Sequence, residues 1–284
     1  MSAMTQRLPT YYLSHGGGPW PWLKSETGST FDKLEESLLK VRREIGELPR
    51  AVLAISGHWE SDRFLVSSAA HPPMVYDYHG FPEEMYRIRY DAPGEPAIAS
   101  EVHALLSRGG VRCGLDPAQG FDHGTFSVMK TLYPDATMPI VQLSLRMDYD
   151  PAAHLKVGRL IAPLRDNGIL IIGSGSSYHD LRGIRGSGGP ASLTFDDWLE
   201  ETLVGVDPSE RHQRLINWTS ALAARAAHPQ EDHLMPLMVA VGAAGGDDGT
   251  RIYHQDDFMG GITLSSYRFG APVQAALEQP GEHS

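Results

Sequence analysis

Cysteine is almost absent from this chain, since Cys113 is the single thiol among 284 residues. One cysteine forms neither an internal disulfide nor a zinc site built from several thiolates. The sequence also lacks any run close to the roughly 18 apolar residues that a membrane-spanning helix needs. Its first residues contain no apolar stretch flanked by basic residues of the kind that marks a secretion signal. We therefore expect a cytoplasmic protein with no membrane partner.

Positive charge is scarce as well. The chain has 24 Lys and Arg residues against 35 Asp and Glu residues, which gives a formal net charge of −11. Neutralising nucleic-acid phosphates requires a basic surface, so we expect no nucleic-acid partner. Three common motifs are also missing: HExxH of zinc proteases, GxxxxGK[S/T] of P-loop enzymes and GxSxG of serine hydrolases. These absences leave metal chemistry on other residues as the leading interpretation.

Short apolar runs alternate with amphipathic stretches of helical period, and this pattern predicts an α/β fold. We expect a single domain, 1–284, with a core of about 8–270, a peripheral tail at 271–284, and a central mostly parallel or mixed sheet flanked by helices. The glycine-rich segment 183–194 is predicted to be a loop, either a lid or a plain connector. The predicted strands are 10–14, 51–56, 64–69, 138–145, 168–175 and 260–269, and the predicted helices are 31–48, 97–110, 152–168, 195–204 and 208–227.

Histidine is abundant by contrast, with 13 copies. His15, His58 and His179 follow predicted strands, and His123 lies in a short turn beside a glycine. Ligands of open α/β sheets bind beyond the carboxyl ends of the strands, so we expect these four side chains to meet at one binding site. Imidazole is the commonest metal ligand in proteins and also transfers protons near neutral pH. We therefore expect a metal site at the C-terminal ends of the strands.

A fifth histidine of the site comes from the segment 226–246. His228 precedes a proline, and His233 opens the buried apolar run LMPLMVAVGAA. Residues five apart do not share a helix face, so only one of the two should enter the site. We prefer His233, which lies directly against the apolar run, and keep His228 as the alternative.

Seven motifs, distributed over most of the chain, carry a resemblance to a known family. Together, and in this order, they resemble the class III extradiol ring-cleaving dioxygenases, in the DOPA 4,5-dioxygenase-like branch related to the catalytic subunit of protocatechuate 4,5-dioxygenase. The motifs are SHGGGP (14–19), ISGHWE (55–60), YDYHGFPEEMYRIRYDAPGEP (76–96), FDHGTF (121–126), IIGSGSSYHDLRG (171–183), HPQEDHLMPLMVAVGAAGG (228–246) and SSYRF (265–269).

The resemblance implies a mononuclear non-haem metal held by His15, His58 and His233. It implies that His179 is the acid–base residue, unless His179 is itself a ligand, and that His123 lies near the substrate and O2. The wider superfamily has Glu where this chain has His233, so the ligand set departs from the two-His-one-carboxylate pattern of non-haem iron. We expect Fe(II), with Zn(II) as the alternative, because three histidines also suit zinc.

The implied activity is the opening of the aromatic ring of a catecholic substrate with O2. A zinc-dependent hydrolase and a non-catalytic metal-binding member of the same fold are the alternatives. Exposed loops beside the sheet leave room for a homo-oligomer. The candidates for substrate binding are Tyr78 and His79, in an aromatic segment, and Arg182 and Arg268, whose guanidinium groups suit a carboxylate.

Overall fold

Eight strands form one sheet in the computed structural model, which describes residues 7–46 and 48–273. The predicted strands are all present, with ends shifted by a few residues. In chain order the strands are β1 (Thr10–Ser14), β2 (Ala51–Ser61), β3 (Phe64–Ser67), β4 (Cys113–Asp116), β5 (Ile140–Arg146), β6 (Ile169–Gly175), β7 (Gly249–Phe258) and β8 (Ile262–Phe269).

Helices cover this sheet and join its strands. Four of the five predicted helices are present with shifted ends, at Asp32–Ile45, Pro96–Arg108, Pro151–Ile161 and Gly189–Leu203. The helix predicted over 208–227 ends at Ile216, and a separate short helix follows at Ala224–Ala227. In chain order the helices are α1 (Lys24–Thr27), α2 (Asp32–Ile45), α3 (Pro96–Arg108), α4 (His123–Leu132), α5 (Pro151–Ile161), α6 (Leu181–Ile184), α7 (Gly189–Leu203), α8 (Pro208–Ile216), α9 (Ala224–Ala227) and α10 (Met235–Ala244).

The strand order is β4-β3-β5-β2-β6-β1-β8-β7. The four central strands, β5, β2, β6 and β1, are parallel to one another, so their carboxyl ends lie at the same edge. Strand β8 is antiparallel to β1, β7 is antiparallel to β8, and β3 is antiparallel to β5. The sheet is therefore mixed, and the prediction of a single-domain α/β fold is confirmed.

The pairing of β2 with β5 is irregular around His58. The register shifts between Ile55 and Glu60, which places His58 within an irregular stretch of β2 rather than after the strand. An irregularity of this kind re-aims side chains at the edge of a sheet. Strand β2 therefore continues to Ser61, beyond its predicted end at residue 56.

Helix α10 is buried along its whole length and packs on α5 and β6. Two glycines allow the helices to approach closely. A Cβ atom at Gly158 of α5 would lie 2.2 Å from the Val239 carbonyl oxygen, and one at Gly242 of α10 would lie 2.2 Å from the Leu155 carbonyl oxygen. This contact fixes α10, and with it the segment that carries His233.

Two features of the fold differ from the sequence predictions. The segment 183–194 is not one loop, because α7 begins at Gly189 with Pro190 in its first turn, where proline is tolerated. Strands β4 and β7 were not predicted. The predicted peripheral tail lies outside the described residues from position 274 onward. Within the described ranges, no helix is long and apolar enough to cross a membrane.

Candidate metal centre

Five histidine side chains converge at the carboxyl ends of the parallel strands. His15 directly follows β1, and its backbone N–H donates to the carbonyl of Gly175, the last residue of β6, at 3.2 Å. The ring centroid of His15 lies 4.9 Å from that of His58, 5.2 Å from that of His123 and 5.1 Å from that of His233. The ring of His179 stacks on that of His233. The structure thus brings together all five histidines that the sequence assigns to the site.

Three of these histidines form a group that can hold a metal ion. Ligand atoms of His15, His58 and His233 all lie within 4.8 Å of one another, and Nε2 of His58 is 3.1 Å from Nε2 of His233. Both ring nitrogens of His15 are buried, and neither has a hydrogen-bond partner within the described residues. A buried imidazole without a partner is costly unless a ligand satisfies it.

The carboxylates beside the Nδ1 atoms show why this group fits a cation. Nδ1 of His58 is 3.2 Å from Asp77 Oδ2, and Nδ1 of His233 is 2.8 Å from Asp232 Oδ2. An ionised carboxylate only accepts hydrogen bonds, so His233 donates its Nδ1–H to Asp232. The charge of Asp77 favours the proton on the facing Nδ1 of His58, so each Nε2 presents a lone pair. Two lone pairs that face each other across 3.1 Å repel unless a cation lies between them. The donor set therefore fits a metal ion.

Burial keeps these imidazoles neutral, which is the form that binds metals. Desolvation, reinforced by neighbouring histidines, lowers the pKa of His58 to about 3. The pKa values of His15 and His233 are lowered for the same reasons. Protonation at neutral pH therefore does not compete with a metal ion for these nitrogens.

Asp77 joins His123 to this group. Oδ1 of Asp77 is 2.9 Å from Nδ1 of His123 and accepts the His123 backbone N–H at 3.1 Å. The rings of His123 and His58 are 3.9 Å apart. Burial would raise the pKa of Asp77, but the hydrogen bond from His123 and the electrostatic interactions with the His123 and His58 rings lower it below its usual value. Asp77 is therefore ionised and shared by two histidines.

His179 lies at the more open side of the cluster. Its ring centroid is 3.3 Å from that of His233, with the planes 14° apart, and its side chain is 22% exposed. Its backbone N–H donates to the Ala227 carbonyl at 2.9 Å, which fixes the residue after β6. Burial and the nearby His123 lower the pKa of His179 to about 4, so its imidazole is neutral at pH 7 and able to accept a proton.

His228, the alternative to His233, does not join the cluster. Its Nε2 is 3.0 Å from the Ser177 carbonyl oxygen, and its ring packs edge-on against Phe195 and Trp218. The carbonyl of His233 is held by the Tyr12 hydroxyl at 2.8 Å and the Ser176 backbone N–H at 3.2 Å. Contacts from β1 and from the end of β6 therefore fix His233 at the site.

The four substrate-binding candidates have different surroundings. Tyr78 is buried with its ring 5.9 Å from His123, and its hydroxyl donates to the Met85 carbonyl at 2.5 Å. His79 is exposed, and so is Arg182, in the first turn after His179. Arg268 pairs with Glu44 at 2.9 Å and lies opposite Tyr11, four residues before His15. The structure does not bring Arg268 to the histidines.

Sequence reasoning missed three carboxylates of the site: Asp77, Asp232 and Asp122. Asp122 caps α4 and is buried, and it accepts hydrogen bonds from Ser56 Oγ at 2.6 Å and Gln142 Nε2 at 2.8 Å. Its cap role has a sequence signal, since Asp followed by a helical run is a common helix start. Asp77 has only the aromatic segment around it, and Asp232 resembles an ordinary acidic residue of a first helical turn.

The histidine cluster at the carboxyl ends of the parallel strands fits a metal ion, as expected of a metal-dependent enzyme. Residues 9–270 match the family described as the catalytic LigB subunit of aromatic ring-opening dioxygenase, and the chain belongs to this family. The resemblance found in the sequence is thus confirmed. The chain is an oxidoreductase, an extradiol ring-opening dioxygenase, and acts on a small aromatic substrate and O2. Members of the family are non-haem metal enzymes.

The relatives match nearly the whole chain. A protein of Beta vulgaris named 4,5-DOPA dioxygenase extradiol is 34% identical over 267 residues, which cover 92% of this chain and 96% of the relative. A protein of Escherichia coli K12 with the same name is 32% identical over 270 residues, with 93% and 95% covered. The crystal structure of the uncharacterized protein JW3007 from E. coli K12 has a TM-score of 0.74 and 30% identity, and covers 93% of this chain and 100% of that one.

Proposed function

We propose that this chain opens the ring of a catechol with O2 at one Fe(II) ion held by His15, His58 and His233. The observation that carries this proposal is the convergence of three neutral imidazoles, those of His15 and His233 buried and that of His58 partly buried, whose ligand atoms lie within 4.8 Å of one another. Ring opening by O2 is a redox reaction, and Zn²⁺ has no redox chemistry, which favours iron over zinc. When bound, the iron supplies redox chemistry and Lewis acidity at the catechol hydroxyls.

His179 is the proposed base that removes a proton from a catechol hydroxyl. Its partial exposure gives a substrate access to the ring, and stacking on His233 holds that ring beside the ligand group. General acid–base catalysis of this kind contributes about 10²–10⁴-fold to a rate. His123 is the proposed second acid–base residue, because Asp77 holds its Nδ1 and leaves Nε2 free for proton transfer.

The proposed substrate class is a catechol with an ionic side chain. The names of the relatives support this class, since several are called 4,5-DOPA dioxygenase. Tyr78, close to His123, is the proposed wall for the aromatic ring. His79 and Arg182 are the proposed polar contacts, and the exposed guanidinium of Arg182 suits a substrate carboxylate. Arg268 is left out of the proposal because it is paired with Glu44.

The experiment that tests this function is oxygen uptake by metal-free protein that has been reloaded anaerobically with Fe(II) or with Zn(II). Each form receives a panel of catechols, and visible absorbance records the yellow ring-opened product. We expect uptake and colour with Fe(II) and neither with Zn(II). Fully iron-loaded protein that consumes no oxygen with any catechol, or zinc-loaded protein that hydrolyses esters or amides, would contradict the proposal.

A further inference from the structure

We propose that Asp77 is a positioning residue that sets the tautomer and orientation of His58 and His123 together. This inference rests on the proposed function for the roles of the two histidines, with His58 as a metal ligand and His123 as an acid–base residue. It assigns a function to a carboxylate that lies 16% exposed between the two rings.

Both oxygens of Asp77 are used. Oδ2 lies 3.2 Å from His58 Nδ1, and Oδ1 lies 2.9 Å from His123 Nδ1 while also accepting the His123 backbone N–H at 3.1 Å. Because an ionised carboxylate only accepts hydrogen bonds, His123 donates its Nδ1–H to Oδ1. The negative charge on Oδ2 favours the proton on the facing Nδ1 of His58, which lies at ion-pair distance. Both Nε2 atoms are then unprotonated. This is the tautomer that His58 needs to bind a metal and that His123 needs to accept a proton.

Asp232 makes a similar contact but serves only one histidine closely. Its Oδ2 is 2.8 Å from Nδ1 of His233, whereas its Oδ1 is 4.0 Å from Nδ1 of His179, which is beyond hydrogen-bond distance. Of the carboxylates that contact the five clustered histidines within the described ranges, Asp77 alone is within hydrogen-bond distance of two rings. A change at Asp77 should therefore affect metal binding and proton transfer together.

The backbone around Asp77 is fixed in a way that suits this role. The Val75 backbone N–H donates to the Phe121 carbonyl at 2.8 Å, so this segment runs beside the start of α4, where His123 lies. The neighbours of Asp77 are anchored by their hydroxyls, since Tyr76 donates to the Ile88 carbonyl at 2.8 Å and Tyr78 donates to the Met85 carbonyl. Tyr76 and Tyr78 thus fix the position of the Asp77 carboxylate relative to both histidines.

The first test is the affinity for Zn(II) of the metal-free variant Asp77→Asn, measured by competition with a chromophoric chelator. The substitution keeps the shape but removes the negative charge that faces Nδ1 of His58 and replaces one acceptor oxygen with a donor. We expect the affinity to fall by about 10- to 100-fold, the usual effect of removing such a partner. Asp91→Asn, in the same segment but exposed and paired with Arg89, is the matched control and should keep wild-type affinity.

The second test reads the tautomer of His123 directly, from ¹⁵N NMR shifts of the zinc-loaded protein. We expect Nδ1–H in the wild type and a shift toward Nε2–H in Asp77→Asn. The wild-type spectrum alone overturns the inference if His123 carries its proton on Nε2, so the test holds even if the variant fails to fold. Wild-type zinc affinity together with an unchanged His123 tautomer in Asp77→Asn would overturn it as well.

The third test separates the two histidines with His123→Gln. This variant should keep its zinc affinity, and adding Asp77→Asn should still weaken zinc binding, because that effect acts through His58. In the iron-loaded enzyme, Asp77→Asn should lower kcat more than it raises KM. When His123→Gln is already present, adding Asp77→Asn should lower kcat only slightly further. If the two substitutions lower kcat additively, the link between Asp77 and His123 is overturned. Absence of oxygen uptake in the wild type would contradict the proposed function only, since the zinc and NMR results stand independently.

Discussion

At the scale of single residues, the five clustered histidines divide by their Nδ1 partners. The Nδ1 atoms of His58, His123 and His233 each lie within 3.2 Å of a carboxylate oxygen. His15 has two buried nitrogens without a hydrogen-bond partner in the described part of the chain. Among residues 7–46 and 48–273, no carboxylate lies within hydrogen-bond distance of the His179 ring, which is partly exposed. Its ring is therefore free to exchange a proton with a substrate.

Replacing His179 separates catalysis from metal binding. We expect His179→Ala to lower kcat by about 10²–10⁴-fold, the range for loss of a general acid–base residue, and to leave metal content near that of the wild type. Steady-state oxygen uptake and metal analysis of the same samples check this. His71→Ala, at an exposed histidine, is the control and should change neither quantity. Loss of the metal from His179→Ala would instead make His179 a ligand.

The histidines could be found from the sequence because each stands near the end of a strand or the start of a helix. Their carboxylate partners could not, since the direction of an Nδ1 atom depends on packing between distant segments. Asp77 reaches His58 from a segment outside the sheet, and Asp232 is adjacent to His233 but looks like a helix-start residue. Arg268 shows the converse, because its motif suggested a site role while Glu44 holds it at another part of the sheet.

At the scale of elements, the site depends on how closely β6 approaches the segment before α10. The strand ends in Gly175, where a Cβ atom would lie 2.1 Å from the His233 carbonyl oxygen and 3.0 Å from the ring of Tyr12. The same carbonyl accepts the Tyr12 hydroxyl. No side chain fits at this position without moving His233.

We expect Gly175→Ala to lower the free energy of unfolding by about 1–3 kcal/mol, as overpacking a tight contact does, and to weaken zinc binding because His233 is displaced. Urea unfolding of the metal-free protein and chelator competition measure the two effects. Gly246→Ala is the matched control, since a Cβ there meets nothing within 4 Å. Wild-type stability and affinity in Gly175→Ala would show that the contact does not position His233.

The buried central strands could be predicted from the sequence, but the edge strands β4 and β7 could not. Central strands such as β5 and β6 read as continuous apolar runs because both their faces are covered. Strand β7 was missed because it lies at an edge of the sheet and carries many polar residues (GTRIYHQDDF). Strand β4 has only four residues, none fully buried. The irregularity in β2 depends on pairing with β5, which no local pattern reveals.

At the scale of the whole molecule, buried histidines make stability depend on pH. His154 is remote from the cluster and is fully buried in α5, with Nδ1 donating to the Asp150 carbonyl at 2.8 Å and Nε2 accepting the Arg146 backbone N–H at 3.2 Å. Only the neutral ring makes both bonds. Burial lowers the pKa of His154 to about 4, against about 6.5 in an unfolded chain.

Because the unfolded chain binds the proton more readily, the contribution of His154 to stability is complete above pH 6.5. It is lost progressively as the pH falls from 6.5 to about 4, and its full size is roughly 3 kcal/mol. His154→Gln keeps a donor and an acceptor but does not titrate, so we expect its free energy of unfolding to fall less than that of the wild type between pH 6.5 and 4. Urea unfolding of both metal-free proteins at several pH values measures this difference. An equal fall in the wild type and the variant would contradict the role of His154.

The most direct test of the histidine cluster as the centre of ring opening is oxygen uptake with a catechol, measured as a function of Fe(II) bound per chain. Metal-free protein is loaded anaerobically in steps, and bound iron is determined for each step. A single site at His15, His58 and His233 predicts activity that rises in proportion to bound iron and saturates at one ion per chain. Activity that is independent of bound iron, or that appears only beyond one ion per chain, would contradict it.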